Sequence, residues 1–472
     1  MRQSGLRAWL APMLLIVAIA TGGFLRFAQL DKLELSADEG ASWAAAAAPS
    51  LGQVIRMQTR LNPGELGLHD AALHLWIRLF GDSLTAMRAL SATAGTVAIL
   101  LVFIVVREIL ALTPRVHDDE STVEARFPSD ADLVCAIAAL IFAVNLVTIK
   151  YSREVRMYPL GLALGLAQVC LFARSLRLGT MLAYAGLTIL TPLAIAATYT
   201  AGLVLIPEGL YLAMLLARGT PWRRIVGVGL ALGAALVLIA PSMIIAVGTR
   251  GSAPNLHTWN WIPRPSLGAT FALFNKATGT YVFPLLAILA VSGVVRQWSL
   301  RREALIFTLL WMFVPPILLT LVSYVLHPAF VERYLLGSFV PFFILAALGL
   351  IALKPAEFRP GALALVVALA LAHDTTWWQK PHGAGFAEAA AAAARGLGPA
   401  DTIGVAPHYA AGVVNYYLRH VQPPLQVEAA DGEPPPTVVI IADAFDPVEG
   451  AQLRSRYPRS LASFDGVMVR GH

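Results

Sequence analysis

The chain has 472 residues, of which 57% are hydrophobic and only 14% charged, with a mean hydropathy of +0.67. That composition excludes an ordinary water-soluble globule and identifies a polytopic membrane protein. A formal net charge of +6 does not point to nucleic acid, because the basic residues cluster between apolar runs, where membrane proteins keep their orienting charges.

Apolar runs long enough to cross a bilayer, about 20 residues each, fall near 8–28, 84–110, 132–149, 157–174, 181–199, 201–217, 225–248, 281–296, 304–326, 335–353 and 361–377, about eleven in all. The first, behind Arg2 and Arg7, reads as a retained signal anchor, Ala18-Ile-Ala20 being only a faint cleavage-like triplet. The connections Arg174–Arg177, Arg218–Arg224, Arg296–Arg302 and Lys354–Arg359 are short and basic. A cytoplasmic N-terminus with an odd number of spans puts all of them in the cytoplasm. The opposite side still carries Arg56, Arg60, Lys150, Arg153, Arg156, Arg250, Arg264, Lys276 and Arg333, an excess that phosphate binding would explain. The two cysteines, Cys135 and Cys170, lie inside apolar runs and read as small core hydrophobes.

Three segments are expected outside the bilayer on the extracytoplasmic side. The first loop, about 29–80, holds the acidic pair Asp38-Glu39 and then His69–Phe80, where Leu73, Trp76, Ile77 and Phe80 recur at helical spacing, as in an interfacial helix. The loop at about 249–280 carries His257, Trp259, Trp261, Arg264 and Lys276, which serve either as interfacial aromatics and cations or as a lid. From about Trp378 the character changes. Helices are expected at Phe386–Arg395, Ala410–Arg419 and Pro447–Tyr457, and strands at Thr402–Ala406, Thr437–Ala442 and Leu461–Val469. On the cytoplasmic side, Thr113–Asp132, with acidic Asp118-Asp-Glu120, reads as a solvated connection. The expected architecture is therefore an α-helical polytopic membrane region over 1–377 and a small soluble α/β domain over 378–472.

Four elements in order carry a family resemblance. They are Asp38-Glu39 after the first span, Leu73-His-Leu-Trp-Ile-Arg-Leu-Phe-Gly-Asp-Ser83 followed by Arg88, Tyr151-Ser-Arg-Glu-Val-Arg-Met-Tyr158, and Glu332-Arg-Tyr-Leu-Leu336. Together they resemble the GT-C superfamily of polyprenyl-phosphate-sugar-dependent glycosyltransferases, in particular protein-mannosyltransferase-like, aminoarabinose-transferase-like and galacturonosyltransferase-like enzymes. The resemblance covers nearly all the membrane region, whereas the C-terminal domain matches only in position. It implies transfer at the outer face of a bacterial cytoplasmic (inner) membrane, from a polyprenyl-phosphate sugar to a protein or glycolipid acceptor, with membrane lipids as further partners and no nucleic acid. One departure stands out. Where relatives carry a Pro-Pro-Leu-Tyr-Tyr-like element, this chain has Leu66-Gly-Leu-His-Asp70, with Asn62-Pro63 nearby.

Moving a sugar from a lipid phosphate to a hydroxyl requires a base for the acceptor proton and a cationic seat for the departing phosphate. With the resemblance, Asp38 takes the first role. Glu39 orients it, helps hold a divalent ion, or shares a proton with it. Arg156 and Arg333 offer fork-shaped donors and Lys150 a point charge, the plainer reading of these cations being snorkelling toward the interface. Tyr158 and Tyr334 belong to the cavity wall or to an aromatic belt. Glu154 is assigned to the cavity, as are His69 and Asp70, which either contact substrate or solvate a turn. No Gly-rich phosphate loop follows a strand, no His/Cys cluster has zinc spacing, and no cofactor beyond a divalent ion is suggested. A site facing away from the cytoplasm disfavours a nucleotide-sugar donor. Two alternatives remain: a secondary transporter, which would show a two-fold repeat not evident here, and a non-catalytic protein binding a lipid-linked glycan.

Overall fold

The computed structural model describes residues 2–62, 65–112, 128–251, 262–266, 268–378, 385–395, 397–398, 400–422, 424–431, 435–442 and 447–471. His257, Trp259, Trp261 and most of the connection at Thr113–Asp132 lie outside the described residues.

In chain order the first helices are α1 Arg2–Phe27, α2 Ala37–Ala46, α3 Leu51–Leu61, α4 Leu68–Phe80, α5 Leu84–Leu110, α6 Pro128–Ala143, α7 Leu146–Tyr151 and α8 Tyr158–Leu178. They continue as α9 Met181–Ala197, a 3-10 turn Tyr199–Val204, α10 Leu205–Ala217, α11 Trp222–Gly251, α12 Ala269–Thr278 and α13 Val282–Val325. A second 3-10 turn, Glu332–Leu335, leads to α14 Leu336–Ile351, followed by α15 Phe358–Trp378. Among the described residues seven helices are long and apolar enough to cross a membrane by length and composition: Trp9–Phe27, Leu84–Leu110, Tyr158–Leu178, Tyr199–Ala217, Trp222–Gly248, Val282–Val325 and Glu332–Ile351. The expected runs at 132–149, 181–199 and 361–377 are helical too, as α6, α9 and α15. Helix α13 holds two expected runs. It is kinked at Arg301 (φ −133°, ψ 32°), inside the basic stretch Arg296–Arg302 that the sequence predicts as a loop. The run at 132–149 breaks near Asn145, whose side chain accepts from the Thr148 amide and caps α7.

By contacts the chain separates into two units, one of Met1–Ala28, Ser91–Arg153 and Met157–Gln379, the other of Gln29–Leu90, Glu154–Arg156 and Lys380–His472. The first is a helical body with a single apolar core. Helices α13 and α14 pack backbone to backbone where Gly293 and Gly349 face them. A Cβ on either glycine would overlap a carbonyl of the other helix, the close approach that small residues allow in membranes. Fully buried Arg26 donates to the Gly22 and Ala143 carbonyls (3.0 and 2.9 Å) and to Thr148 Oγ1 (3.0 Å), so the charge is hydrogen-bonded rather than bare.

The second unit contains α2, α3 and α4 together with an α/β domain. The latter runs α16 Phe386–Ala393, β1 Thr402–Ala406, α17 Ala411–Leu418, β2 Gln426–Ala429, β3 Val438–Ala442, α18 Pro447–Arg456, β4 Arg459–Phe464 and β5 Val467–Gly471. The sheet order is β2-β1-β3-β5-β4, with β1 parallel to β2 and β3, and β5 antiparallel to β3 and β4. Ile403, Val405, Ile440 and Val469 bury one face in a cluster with Phe386, Ala389 and Val413. Val439 and Ile441 bury the other against Leu453 and Tyr457, so β3 is apolar throughout. Two strand expectations are corrected. The stretch expected as one strand over Leu461–Val469 is a hairpin, turning at Asp465-Gly466 with both residues at positive φ (35° and 90°), the signature of an Asp-Gly turn. Edge strand β2 was not expected, because it is short and Val427 is its only strong strand former.

Half-buried Glu34 accepts from the Phe386 amide at 3.2 Å. Burial first, then the Glu388 carboxyl beside it, raises its pKa above the ordinary carboxyl range. Such a group binds its proton more tightly folded than unfolded, so its favourable contribution is present in acid and lost as pH rises through the raised value. Glu388→Gln should therefore raise the thermal midpoint at neutral pH and leave it nearly unchanged in acid. A lowered midpoint at neutral pH would show that the pair does not oppose folding.

Candidate active site

In the second unit, Asp38 and Glu39 open α2 but do different things. Ser36 is the N-cap, and with Glu39 it forms a capping box: the Glu39 amide donates to Ser36 Oγ (3.3 Å), and Glu39 Oε2 accepts from the Ser36 amide (2.9 Å). The same carboxylate is 2% exposed and takes a two-pronged grip from Arg88, whose Nε and Nη2 lie 2.9 and 3.0 Å from its two oxygens. The Val155 amide donates to Glu39 Oε1 at 2.9 Å. Arg88, equally buried, also donates to the carbonyls of Leu30, Leu33 and Glu34. Glu39 and Arg88 thus lock α2, the chain before it and the 154–156 segment together.

Asp38 is exposed, in the first turn of the helix, a position that suits a carboxylate. Its carbonyl accepts from Arg156 Nη1 at 2.9 Å, and the same nitrogen lies 3.4 Å from Ser42 Oγ. Arg156 is buried and holds α2 through this nitrogen. Glu154, half-buried, accepts the Arg156 amide on its carbonyl (2.8 Å). His69 and Asp70 are buried in the first turn of α4, with His69 Nδ1 3.3 Å from Asp70 Oδ1. Their neighbour His74 reaches the Ala46 carbonyl (2.8 Å), so α4 is pinned to the end of α2.

The remaining predicted residues belong to the first unit. Arg333 stands in the turn Glu332–Leu335, its guanidinium 5.9 Å from the Tyr158 ring centre and 5.8 Å from that of Tyr334. All three line one cavity, with Thr198, Thr200 and Ser338 as further polar groups. Along α8 the wall is Tyr158, Leu162, Leu166 and Val169, one helical face about 16 Å long at 1.5 Å per residue. Arg333 sits at the Tyr158 end, with Thr198 against Gly161 one turn on, and most of the remaining lining is apolar, Trp311 and Pro315 included. Such a cavity suits an anionic head on a hydrocarbon tail. Lys150 does not line it. Its Nζ lies 4.9 Å from the Tyr151 ring centre. Glu332 braces the turn, with Oε1 3.4 Å from Tyr151 Oη and Oε2 3.3 Å from Lys276 Nζ.

No family model and no curated protein sequence matches the chain. Among solved structures it is similar to ArnT from Cupriavidus metallidurans, at TM-score 0.62 in the apo state and 0.63 bound to undecaprenyl phosphate. Both matches are at 15% identity and cover 96% of this chain and 97% of that one. It carries the GT-C fold. A second GT-C protein, the Archaeoglobus fulgidus oligosaccharyltransferase in complex with zinc and sulfate, is similar at TM-score 0.55 and 12% identity, over 91% of this chain and 68% of that one. Among the described residues no group of three or more His, Cys, Asp or Glu side chains could hold a metal ion. With Glu39 already bound by Arg88, the acidic pair of this chain presents one exposed carboxylate and does not fit a metal centre. Two elements of the site were missed in the sequence. The Ser36-x-x-Glu39 capping signature was readable, whereas the role of Arg88 left no local signal.

Proposed function

We propose that the chain is an inverting glycosyltransferase that moves a sugar from a polyprenyl-phosphate-linked donor to an acceptor hydroxyl on the extracytoplasmic side of the membrane. The observation that carries this reading is the elongated cavity of the membrane unit, with Arg333 at its polar end and an apolar wall below. The undecaprenyl phosphate bound to the similarly folded ArnT supports a ligand of that class. In the reaction the acceptor oxygen bonds to the anomeric carbon as the carbon–phosphate oxygen bond breaks. Asp38 takes the acceptor proton, polyprenyl phosphate leaves, and the anomeric configuration inverts. Arg333 stabilises the charge growing on the departing phosphate. Arg333, rather than Arg156 or Lys150, is the main phosphate cation, because Arg156 Nη1 is bound to α2 and Lys150 lies off the cavity.

The test is release of polyprenyl phosphate by the purified protein from a radiolabelled polyprenyl-phosphate sugar. Arg333→Lys keeps the charge but not the fork, and should slow release by about ten- to a hundredfold with the fold intact. Wild-type turnover in that variant would remove the arginine from the site. Sidedness is tested separately: reporters fused after Trp378 should be active outside the cytoplasm, and a cytoplasmic signal there would overturn the topology.

A further inference from the structure

We infer that the C-terminal α/β domain acts in the transfer, by setting the position of α2 and hence of Asp38, with Gly412 and Arg419 as positioning residues. This rests on the proposed role of Asp38. Two independent features of the second unit carry it. First, α17 crosses α2 without side chains between them. A Cβ on Gly412 would stand 2.6 Å from the Gly40 carbonyl oxygen, and a Cβ on Gly40 would overlap the Val413 backbone. Gly40 lies two residues beyond Asp38, so the crossing acts on the helical turn that bears the carboxylate. Second, a polar tie fastens the end of α17 to the same helix. Arg419 Nε donates to Asp82 Oδ2 at 3.0 Å, and Trp43 Nε1, from α2, approaches that oxygen at 3.4 Å. The Arg419 guanidinium lies 3.7 Å over the Tyr416 ring, which meets Trp43 edge-on at 5.3 Å. Ahead of α2, the Leu35 amide donates to Tyr417 Oη at 2.8 Å. Burial pushes the Tyr417 hydroxyl up to about 12, so it stays protonated at neutral pH. A helix held at both ends and at its crossing point has little freedom, and an error of about 1 Å in placing a catalytic group can cost a hundredfold in rate.

The experiment uses the full-length protein in nanodiscs, with Gly412→Ala and Arg419→Ala. It measures kcat and KM for the polyprenyl-phosphate sugar, the thermal midpoint, and hydrogen exchange of the α2 amides. The expected result is a fall in kcat of about tenfold or more with the donor KM within about twofold, a lowered midpoint in Gly412→Ala, whose added Cβ must displace the Gly40 backbone, a midpoint near wild type in Arg419→Ala, and faster exchange confined to α2 in Arg419→Ala. Gln452→Ala, on exposed α18, should match the wild type and so control for general damage to the domain. Wild-type kcat in both variants overturns the inference, and so does a loss of kcat in Arg419→Ala matched by loss of donor affinity and midpoint. Should Gly412→Ala fail to fold, Arg419→Ala decides alone. A wild-type protein that releases no polyprenyl phosphate sinks the transferase reading instead. In that event unchanged α2 exchange in Arg419→Ala overturns the positioning claim, and faster exchange upholds it.

Discussion

Asp38→Asn should lower sugar transfer by about a hundred- to ten-thousand-fold, the range that a positioned general base contributes. The substitution keeps size and shape and removes the basic oxygen. Asp38 is exposed, and what fixes its backbone is the carbonyl bond to Arg156, which an asparagine retains. Thermal midpoint and donor KM should therefore stay near wild type while kcat collapses. Glu39→Gln should be milder in turnover, because its carboxylate faces Arg88, Ser36 and Val155. A dead Glu39 variant beside an active Asp38 variant would exchange the two roles. Full transfer by both would place the chemistry elsewhere.

The largest stability effect is expected for Arg88→Met. Removing the guanidinium leaves the Glu39 carboxylate buried without its cation, a situation that costs about 3–5 kcal/mol, and it also strips the donors from the carbonyls of Leu30, Leu33 and Glu34. The pair is not in itself a large stabiliser, since burying both charges consumes most of their attraction. The double variant Glu39→Met/Arg88→Met should therefore recover much of the loss, although the three carbonyls stay unpaired. Chemical or thermal unfolding of the single and double variants in detergent gives the coupling directly. Strictly additive losses would mean that the 2.9 and 3.0 Å contacts between the two side chains carry no coupling.

What could be read without coordinates followed from local chemistry. Composition and run length determined that this is a membrane protein with about eleven apolar helices, because crossing hydrocarbon demands about 20 apolar residues whatever lies around them. The apolar Val438–Ala442 strand and the alanine-rich helix beginning at Phe386 are legible from local propensity, β-branched residues favouring the strand and alanine the helix. The Asp465-Gly466 turn and the Ser36-x-x-Glu39 cap are local signals of the same kind. The tertiary structure alone decided which charges meet. Glu39 found Arg88, 49 residues away, and the Val155 amide, 116 away. Asp82 found Arg419 across 337 residues. Two neighbouring carboxylates look alike in a sequence. Folding buried one against an arginine and left the other exposed, because only the packed chain determines which carboxylate leaves water and must be compensated for its lost hydration.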